Sequence, residues 1–503
     1  MMNPSLLLSE LKNDLHLVKM AQTPSDLTGV TSNSKQVKNG FLFIAEKGIS
    51  NDGHSYITNA IKNGASALLV EKVDLIPSDY SGLVLKSNNA RAIAPIIGAL
   101  FYNKPSHKLF CMGVTGTNGK TSFTYLVEHF FNTAQMPTGV IGTIDHHLGN
   151  KTWNTERTTP HPIELQERLH DFVKNKAHSL AIEVTSHAID QKRVEGIEFD
   201  VGVFTNLTRD HLDYHSTMEE YFEVKQKFFT EILTQSPKKE VFAIINRDDP
   251  WGAQLKIHSK ITKWTYGSQL NKNLKSDFSF TLNSMDFKGT NFTAETPHGS
   301  VSLRSPLIGN HNIYNVLGAV AAGVAGGLSL SHIENVLPHF KGIPGRLQRV
   351  LTDQPKSIFI DYAHTPDALE NVLLSLLRIK EQSKTNGKIL CVFGCGGDRD
   401  KGKRPIMGNI AEKYSDLVIV TSDNPRTEDP LLIINEIKMG FNNSAAKTVV
   451  LEPDRQKAIA LAINEAKRED IILIAGKGHE DYQIIGKEKF YFSDYETARK
   501  ILA

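Results

Sequence analysis

The chain contains few cysteines, and their positions argue against a disulfide framework or a zinc ribbon. Only three occur among the 503 residues, Cys111, Cys391 and Cys395. Three is an odd number, and the last two have the wrong spacing for a zinc ribbon or a redox Cys-x-x-Cys pair. A reducing compartment fits best, so the sequence predicts a cytoplasmic protein.

The sequence also lacks an excess of charge of one sign. Lysine and arginine total 57 against 55 acidic residues, which gives a net charge of +2. This balance provides no broad basic surface of the kind that nucleic acids or anionic membranes usually require, so neither is expected as a partner. Any bound anion must therefore be held by a local site.

Long apolar segments are missing as well. Glu10, Lys12 and Asp14 interrupt the apolar positions of the first twenty residues, which argues against a signal peptide. The longest weakly polar run, 316–330, is rich in Ala and Gly and too short to cross a bilayer, so we interpret it as a closely packed buried helix. We find no internal repeat and expect a monomer that is not inserted in a membrane.

Strand and helix patterns alternate along the chain, whose length and 40% hydrophobic content allow several cores. Apolar runs at 41–45 and 67–70, with a helical segment near 56–63, predict a small α/β unit. The next strands should form a parallel sheet covered on both faces. These strands are predicted at 109–114, 139–144, 179–184, 201–204 and 241–245.

A second doubly wound sheet is predicted in the last third of the chain. Between the two sheets, alternation from 277 to 303 predicts antiparallel strands at the edge of the first. Turn-forming segments at 103–106 and 342–345 suggest domain boundaries, so we predict an α/β protein with domains at 1–104, 105–343 and 344–503. The strands of the second sheet are predicted at 357–361, 389–394, 417–423 and 470–476.

The strongest local motif is TGTNGKTS, residues 115–122, between a predicted strand and a helix from about Lys120. Backbone amides of such a loop and the helix N-terminus attract phosphate, Lys120 adds a full charge, and the Thr121 hydroxyl suits Mg²⁺. Val114 stands where the strict motif has glycine, so an ordinary Gly-rich turn is the alternative. The motif predicts a central P-loop ATPase domain whose ATP-binding residues are Gly116, Thr117, Asn118, Gly119, Lys120, Thr121 and Ser122.

Two further segments offer metal ligands near that loop. Glu183 ends a predicted strand in AIEVTSHAIDQKR, where ligands of open α/β sheets collect. The segment 204–229 offers His211 for metal and Lys225 on a helix. Alone, each could be a surface residue, and the combination with the P-loop is what favours a site.

The motifs taken in order resemble the Mur ligases over nearly the whole chain. They are TGTNGKTS, EVTSHA, NLTRDHLDYHSTMEEY, LIGNHNIYNVLGA, PGR and IDYAHTPDAL. The resemblance implies an N-terminal domain for a UDP-sugar substrate, a central ATPase domain and a C-terminal Rossmann-like domain for the incoming amino acid. It also implies that Asn310, Arg346 and Asp361 contact ATP.

The resemblance implies that Lys225 becomes a carbamate, an oxygen ligand for a second Mg²⁺. The expected catalytic residues are Lys120, Lys225, Glu183 and His211, and the expected metal ligands are Thr121, Glu183, His211 and carbamylated Lys225. The UDP-muramoyl dipeptide is expected at Ser34, Thr158, Thr159, Thr185, Gln191 and Arg193. Asn33-Ser34-Lys35 departs from the usual Asp-Ser-Arg of the family.

The loop SDNPRTEDP, residues 422–430, resembles the DNPR motif of members that add meso-diaminopimelate. A planar guanidinium binds the carboxylate that distinguishes this substrate from lysine. An exposed turn is the alternative reading of the loop. The residues expected to bind meso-diaminopimelate are Arg399, Asp423, Asn424, Pro425, Arg426, Gly476 and Glu480.

The implied reaction is ligation of meso-diaminopimelate to UDP-N-acetylmuramoyl-L-alanyl-D-glutamate with ATP and Mg²⁺, through an acyl phosphate. No convincing Ser-His-Asp or Cys-His arrangement is present, and none is needed. One alternative is a related ligase with another substrate, either a Mur ligase that adds L-lysine or a folylpolyglutamate-type enzyme. Another is a P-loop switch ATPase, which would explain residues 115–122 but not Lys225 or the C-terminal loops.

Overall fold

Three sheets with mostly parallel strands form the framework of this computed structural model, and helices connect the strands. By contact the chain divides into two units, Met1–Gly267 with Gly318–Ser329, and Ser268–Leu317 with Leu330–Ala503. No helix in the described part of the chain is both long and apolar enough to span a membrane. The structure describes residues 1–19, 26–48, 51–153, 157–208, 210–211, 214–270, 275–383, 385–442 and 448–502.

The first sheet has five strands in the order β1-β5-β4-β3-β2, and only the β1–β5 pair is antiparallel. Leu42, Ile44 and Leu69 are among the residues that bury one face against α1 and α3. The elements are α1 Pro4–Glu10, β1 His16–Lys19, β2 Gly29–Thr31, β3 Phe41–Ile44, α2 Ile57–Lys62, β4 Ala65–Val70, β5 Leu83–Lys86 and α3 Ala90–Phe101.

The second sheet in the first unit has the order β13-β12-β11-β6-β10-β7-β8-β9. Its strands are parallel apart from the β7–β8 and β8–β9 pairs. The elements are β6 Phe110–Thr115, α4 Lys120–Thr133, β7 Thr138–Ile141, β8 His146–Leu148, β9 Lys151–Trp153, α5 Pro162–Lys174, β10 Ser179–Glu183, α6 Ser186–Asp190, β11 Val201–Phe204, α7 Met218–Lys227, β12 Phe242–Asn246 and β13 Thr262–Ser268.

Strand β6 lies in the middle of this sheet, between β10 and β11. Glu183 pairs in register with Val114, and Phe204 with Thr115, so the three strands end at the same edge. Ligands of open α/β sheets bind at such an edge, where the strand order changes direction. The segments that follow β6, β10 and β11 therefore meet at one place.

The second unit contains a meander of antiparallel strands and a six-stranded sheet of order β17-β18-β22-β19-β20-β21, parallel except for β17. The remaining elements of the chain are β14 Phe278–Asp286, β15 Gly289–Thr296, β16 Gly299–Ser305, α8 Asn310–Ala325, α9 Leu330–Val336, β17 Gln348–Val350, β18 Ser357–Asp361, α10 Pro366–Gln382, β19 Ile389–Phe393, α11 Lys403–Tyr414, β20 Leu417–Val420, α12 Pro430–Lys438, β21 Thr448–Leu451, α13 Arg455–Glu465, β22 Ile471–Ala475, β23 Tyr482–Ile485, β24 Glu488–Tyr491 and α14 Asp494–Leu502.

Every predicted strand is present with ends that differ from the prediction by at most three residues, and the predicted antiparallel segment is the β14–β16 meander. The buried helix predicted at 316–330 needs correction. It starts earlier, at Asn310, and ends at Ala325, because Gly327 takes the left-handed φ of +85° and terminates it. Val316 and Val320 are buried as predicted. Three sheets agree with three α/β domains, while the boundaries 1–104, 105–343 and 344–503 stay a prediction.

Candidate active site

The loop between β6 and α4 depends on two glycines with positive φ. Gly116 has φ +149° and Gly119 has φ +87°. A Cβ atom at Gly116 would lie 1.9 Å from Oγ1 of Thr205, just after β11. Any other residue at this position would therefore require the end of β11 to shift. Glycine is therefore required for the backbone to curl at this point.

Lys120 is the first residue of α4 and folds back over the loop. Its Nζ donates to the carbonyl oxygens of Gly116 at 2.9 Å and Thr117 at 2.8 Å. The first N–H groups of a helix have no intrahelical partner, and Gly119 at the N-cap has no side chain to accept from them. Such amides and a nearby ammonium group suit an anion, and the binding of phosphate here stays a prediction.

The far side of the loop is attached to the segment after β11. Asn206 Oδ1 accepts from the Asn118 amide at 3.0 Å, and Thr205 Oγ1 donates to the Asn118 carbonyl at 2.6 Å. Oγ1 of Thr117 lies 3.4 Å from the hydroxyl of Tyr221, and Ser122 is buried in α4. These contacts fix the loop before any ligand binds.

Glu183 ends β10 and is buried. Its Oε1 accepts from Thr121 Oγ1 at 2.9 Å and from the Thr143 amide at 3.0 Å, and its Oε2 accepts from Thr143 Oγ1 at 3.0 Å. The structure thus brings together the predicted ligands Thr121 and Glu183. Thr143, on the turn after β7, was missed because a threonine in a turn carries no motif of its own.

Lys225 lies fully buried on α7, and its Nζ donates to Gly116 O at 3.0 Å and Thr115 Oγ1 at 3.3 Å. Burial lowers the pKa of this amine well below the ordinary lysine value, and the charge of Lys120 lowers it further. The amine is therefore held at the base of the loop and favours its neutral form.

His211 follows the loop after β11 and has φ +54°. Its ring centroid is 5.1 Å from that of His187 and 6.0 Å from that of Tyr221, and its Nε2 lies 3.5 Å from Oδ2 of Asp210. The described residues contain no group of three or more His, Cys, Asp or Glu side chains able to hold a metal. Metal binding by His211 stays a prediction; Arg209, Leu212 and Asp213 of the same motif lie outside the described residues.

Most of the residues predicted for the UDP-muramoyl dipeptide form one hydrogen-bonded group beside Glu183. Thr159 Oγ1 donates to the Glu183 carbonyl at 2.7 Å and lies 3.3 Å from Oγ1 of Thr185. Arg193 donates to Thr159 O at 2.8 Å and to Gln191 Oε1 at 2.6 Å. Burial lowers the pKa of Arg193 to about 10. A second hydroxyl pair joins the group, since Oγ1 of Thr158 lies 3.1 Å from that of Thr143.

Ser34 is buried in the first sheet's region, where Asn59 Nδ2 donates to its hydroxyl at 3.1 Å and Asn63 Nδ2 donates to its carbonyl at 2.9 Å. Its predicted contact with the UDP-sugar is not tested by these bonds. Sequence reasoning missed Glu46, whose carboxyl is subject to the charges of Arg91 and Arg193. Burial raises the pKa of Glu46, and no local sequence motif indicates that this carboxyl group is buried.

A buried histidine holds the turn that carries Thr143. His147 Nδ1 lies 2.7 Å from Asp145 Oδ1, and its Nε2 lies 3.0 Å from Glu128 Oε1 on α4. Burial alone would lower the pKa of His147, but the hydrogen bonds to the two carboxylates outweigh it and raise the pKa to about 10. The imidazolium therefore ties α4 to the turn at neutral pH.

We expect the stability contributed by His147 to be lost at alkaline pH. Because the pKa of His147 is higher in the folded than in the unfolded protein, its protonation stabilises the folded state, fully so below the unfolded pKa of about 6.5. This contribution to the free energy of unfolding, on the order of 5 kcal/mol, is lost as pH rises through the folded pKa of about 10. Urea unfolding of the wild type and His147→Gln should show a stability difference that shrinks over this range. His107→Gln, at an exposed pair with Glu198, is the matched control. A constant difference would contradict the assignment.

The second unit holds the three residues predicted to contact ATP, of which Arg346 is half-buried and lies over the Tyr362 ring. Asp361 ends β18, and its carboxylate accepts from the Leu347 amide at 2.7 Å and the Ala363 amide at 2.8 Å. Burial raises the pKa of Asp361, while the charge of Arg346 opposes this rise. Asn310 is the exposed first residue of α8. Their contacts with nucleotide stay predictions.

Asn424 and Glu480 are brought together by a lysine to which no role was assigned from the sequence. Asn424 Nδ2 donates to Glu480 Oε2 at 2.9 Å, and Lys477 Nζ donates to Asn424 Oδ1 at 2.8 Å. Lys477 also lies 3.3 Å from Asp423 Oδ1. Gly476 has φ +114°, and a Cβ there would lie 2.7 Å from Asp423 Oδ2, so glycine is required.

Arg426 lies beside β23, the short strand that follows Glu480. Its amide donates to Ile484 O at 3.0 Å, and its Nη1 donates to Gly397 O at 2.8 Å, which leaves other guanidinium N–H groups for a ligand. Arg399 is in the adjoining loop, with Nη1 3.3 Å from Asp398 O. A Cβ atom at Gly397 would clash with the Pro425 carbonyl oxygen, so the loops that carry Arg399 and Arg426 are in close contact.

Comparison with known proteins gives matches along most of the chain. Three family models match: Mur ligase family, catalytic domain, over 26–100; Mur ligase middle domain, over 114–323; and Mur ligase, glutamate ligase domain, over 345–478. The UDP-N-acetylmuramoyl-L-alanyl-D-glutamate--2,6-diaminopimelate ligase of Geobacter metallireducens is 44% identical over 486 residues, covering 94% of this chain and 93% of that protein. The chain belongs to the Mur ligase family.

Other relatives of this Mur ligase agree with that assignment. The Bacillus cereus protein with the same name is 41% identical over 479 residues, 95% of this chain and 94% of that one. A solved structure of UDP-N-acetylmuramoyl-L-alanyl-D-glutamate--2,6-diaminopimelate ligase has 32% identity and a TM-score of 0.71, covering 96% of each chain. The predicted family and α/β fold class are thus confirmed.

The C-terminal site of this Mur ligase also depends on ion pairs that sequence reasoning missed. The fully buried Arg404 donates to Glu428 at 2.9 Å with two nitrogens, and to Glu436 at 2.6 Å. Glu428 Oε1 also accepts from the Asp398 amide at 2.6 Å, so the pair joins the loops of Arg399 and Arg426. An arginine inside a helix gives no sign of these distant partners in the sequence.

Proposed function

We propose that this Mur ligase uses ATP to join meso-diaminopimelate to UDP-N-acetylmuramoyl-L-alanyl-D-glutamate, a step in peptidoglycan precursor synthesis. The observation that carries the proposal is the arrangement of Asn424, Arg426 and Glu480 beside β23. Amide and guanidinium N–H groups suit carboxylates, and the Glu480 carboxylate suits an ammonium group. The names of the 41% and 44% identical relatives support the same substrates.

The P-loop supplies the proposed phosphate site. Lys120 and the first amides of α4 offset negative charge on ATP, and phosphoryl transfer depends mainly on such positioning and electrostatics. The γ-phosphoryl group passes to a free carboxylate of the D-glutamate end, giving ADP and an acyl phosphate. The diaminopimelate amine then attacks the acyl carbon, loses a proton and displaces inorganic phosphate.

The oxygen atoms of Thr121 and Glu183 fit Mg²⁺. Mg²⁺ prefers oxygen ligands, and in sites for nucleotides it usually takes one or two carboxylates together with phosphate oxygens. The 2.9 Å contact between Thr121 and Glu183 gathers such ligands at the P-loop. When bound, the ion would neutralise charge on the phosphates, and Thr143 would keep the Glu183 carboxylate oriented.

The buried amine of Lys225 supports the proposed carbamate. Only a neutral amine attacks carbon dioxide, and burial favours that form. The reaction forms an N–C bond and releases one proton, which converts Lys225 into an anionic oxygen ligand beside the charge of Lys120. We propose that this carbamate and His211 complete a second Mg²⁺ site.

The remaining proposals concern the other substrate and the cellular setting. Thr158, Thr159, Thr185, Gln191 and Arg193 are proposed to bind the muramoyl dipeptide beside Glu183, with Ser34 on the uridine side. Three buried free cysteines fit a reducing compartment, so we propose that the protein acts in the cytoplasm. We also propose that it acts as a monomer.

Phosphate release and product mass test the proposed function. The purified protein receives ATP, Mg²⁺ and UDP-N-acetylmuramoyl-L-alanyl-D-glutamate with either meso-diaminopimelate or L-lysine. We expect turnover with diaminopimelate alone and a product heavier by one such residue. Turnover with lysine instead would refute the role of Arg426, and turnover without any amino acid would favour a switch ATPase.

A further inference from the structure

We propose that Lys477 is a positioning residue that fixes the polarity of the amino-acid site. It holds the side-chain amide of Asn424 with its oxygen turned inward, so that Asn424 presents only N–H groups to the incoming amino acid. Glu480 then supplies the acceptor for the ammonium group. The inference rests on the proposed function and adds to it the residue that sets the orientation of the two substrate-binding side chains.

Three acceptors surround the Lys477 ammonium, whose side chain is fully buried. Asn424 Oδ1 lies at 2.8 Å, Tyr482 O at 2.7 Å and Asp423 Oδ1 at 3.3 Å. An ammonium group has three N–H donors and no acceptor; it donates to Asn424 Oδ1 and Tyr482 O, and the Asp423 carboxylate forms an ion pair with it. The amide NH₂ of Asn424 could not face this group without opposing donor to donor.

A second donor agrees with this orientation of the amide. The Ile484 amide donates to the same Oδ1 of Asn424 at 3.0 Å. On the opposite side, Asn424 Nδ2 donates to Glu480 Oε2 at 2.9 Å. Turning the amide over would place its oxygen against a carboxylate and its NH₂ against two donors, so only one orientation is compatible with the surroundings.

The fixed orientation matches the chemistry of an amino-acid terminus. A carboxylate only accepts hydrogen bonds, and an ammonium group only donates them. With Asn424 restricted to donating and Glu480 to accepting, the site distinguishes the two ends of a zwitterionic group. Removing the Lys477 ammonium removes one donor to Asn424 Oδ1 and the nearby positive charge, 3.7 Å from Glu480 Oε2, that favours its carboxylate.

The test compares the full-length wild type with Lys477→Met, which keeps most of the side-chain volume and removes the donor. We expect KM for meso-diaminopimelate to rise about 10- to 100-fold, the effect of losing a hydrogen bond to a charged group. KM for ATP and for the UDP-muramoyl dipeptide should stay close to the wild-type values. An equal rise in all three would show a merely structural role and overturn the proposal.

A double-mutant cycle tests whether Lys477 acts through Asn424. Lys477→Met should raise the KM for diaminopimelate by a clearly smaller factor in the Asn424→Ala background than in the wild type, because the lysine then has no amide to orient and acts only through its charge near Glu480. Fully multiplicative effects would overturn the proposal. If wild-type protein did not turn over diaminopimelate at all, the proposed function would fail instead.

A further variant covers the case in which methionine prevents folding by leaving Asp423 without its cation. Lys477→Met/Asp423→Asn removes both charges of the pair and is compared with Asp423→Asn alone. The KM for diaminopimelate should again rise about 10- to 100-fold between these two proteins. Equal KM values would overturn the positioning role.

Discussion

Lys225→Ala is expected to lower kcat by about 10²- to 10³-fold, the loss that follows removal of one electrostatic group from a preorganised site. The side chain is buried against the P-loop and donates to Gly116 O. Alanine leaves a space and no oxygen ligand where the carbamate is proposed. Short carboxylates such as acetate should therefore restore part of the activity of Lys225→Ala. Steady-state kinetics with and without the added carboxylate measure both effects.

Lys227→Ala is the matched control for this prediction, because Lys227 lies on the same helix, α7, but is exposed. Its kcat should stay near the wild-type value. Mass measurement of the intact wild-type protein should show the addition of one carbon dioxide. Absence of that addition, together with no recovery by carboxylates, would remove the carbamate hypothesis but leave the ligase assignment in place.

Arg426→Ala is expected to raise KM for meso-diaminopimelate by about 10²-fold or more, since an unpaired buried carboxylate costs about 2–5 kcal/mol. Nη1 of Arg426 is held by Gly397 O, so the guanidinium is oriented in advance. Lysine lacks the additional carboxylate, so any residual turnover of L-lysine should change little. The ratio of kcat/KM for the two amino acids is the measurement.

Arg426→Lys separates charge from geometry. Lysine keeps the positive charge but cannot bind a carboxylate with two parallel N–H groups, so selectivity should fall to an intermediate value. Arg468→Ala, an exposed arginine of the same unit, should leave the ratio unchanged. A wild-type ratio in Arg426→Ala would assign the carboxylate to another residue, with Arg399 as the first candidate.

Sequence patterns located the strand-end loops but not the contacts inside them. The strand-loop-helix setting of residues 115–122 was predicted correctly, because these residues are adjacent in the chain and glycine and lysine act there through the local backbone. The contacts of Thr143 and Lys477 were missed because their partners lie 40 and 53 residues away, at Glu183 and Asn424. Such pairs form only when neighbouring strands end together.

By itself, the sequence determined the alternation of strands and helices, which stretches of the chain form each sheet, and which types of residue stand in each loop. These follow from side-chain periodicity and from turn residues, which act within a few positions of one another. The tertiary structure alone decided which strands are neighbours. It therefore decided that Glu183 faces Thr121, that burial lowers the pKa of Lys225, and that Lys477 donates to Asn424. Burial and long-range hydrogen bonds set these properties, and neither is a function of adjacent residues.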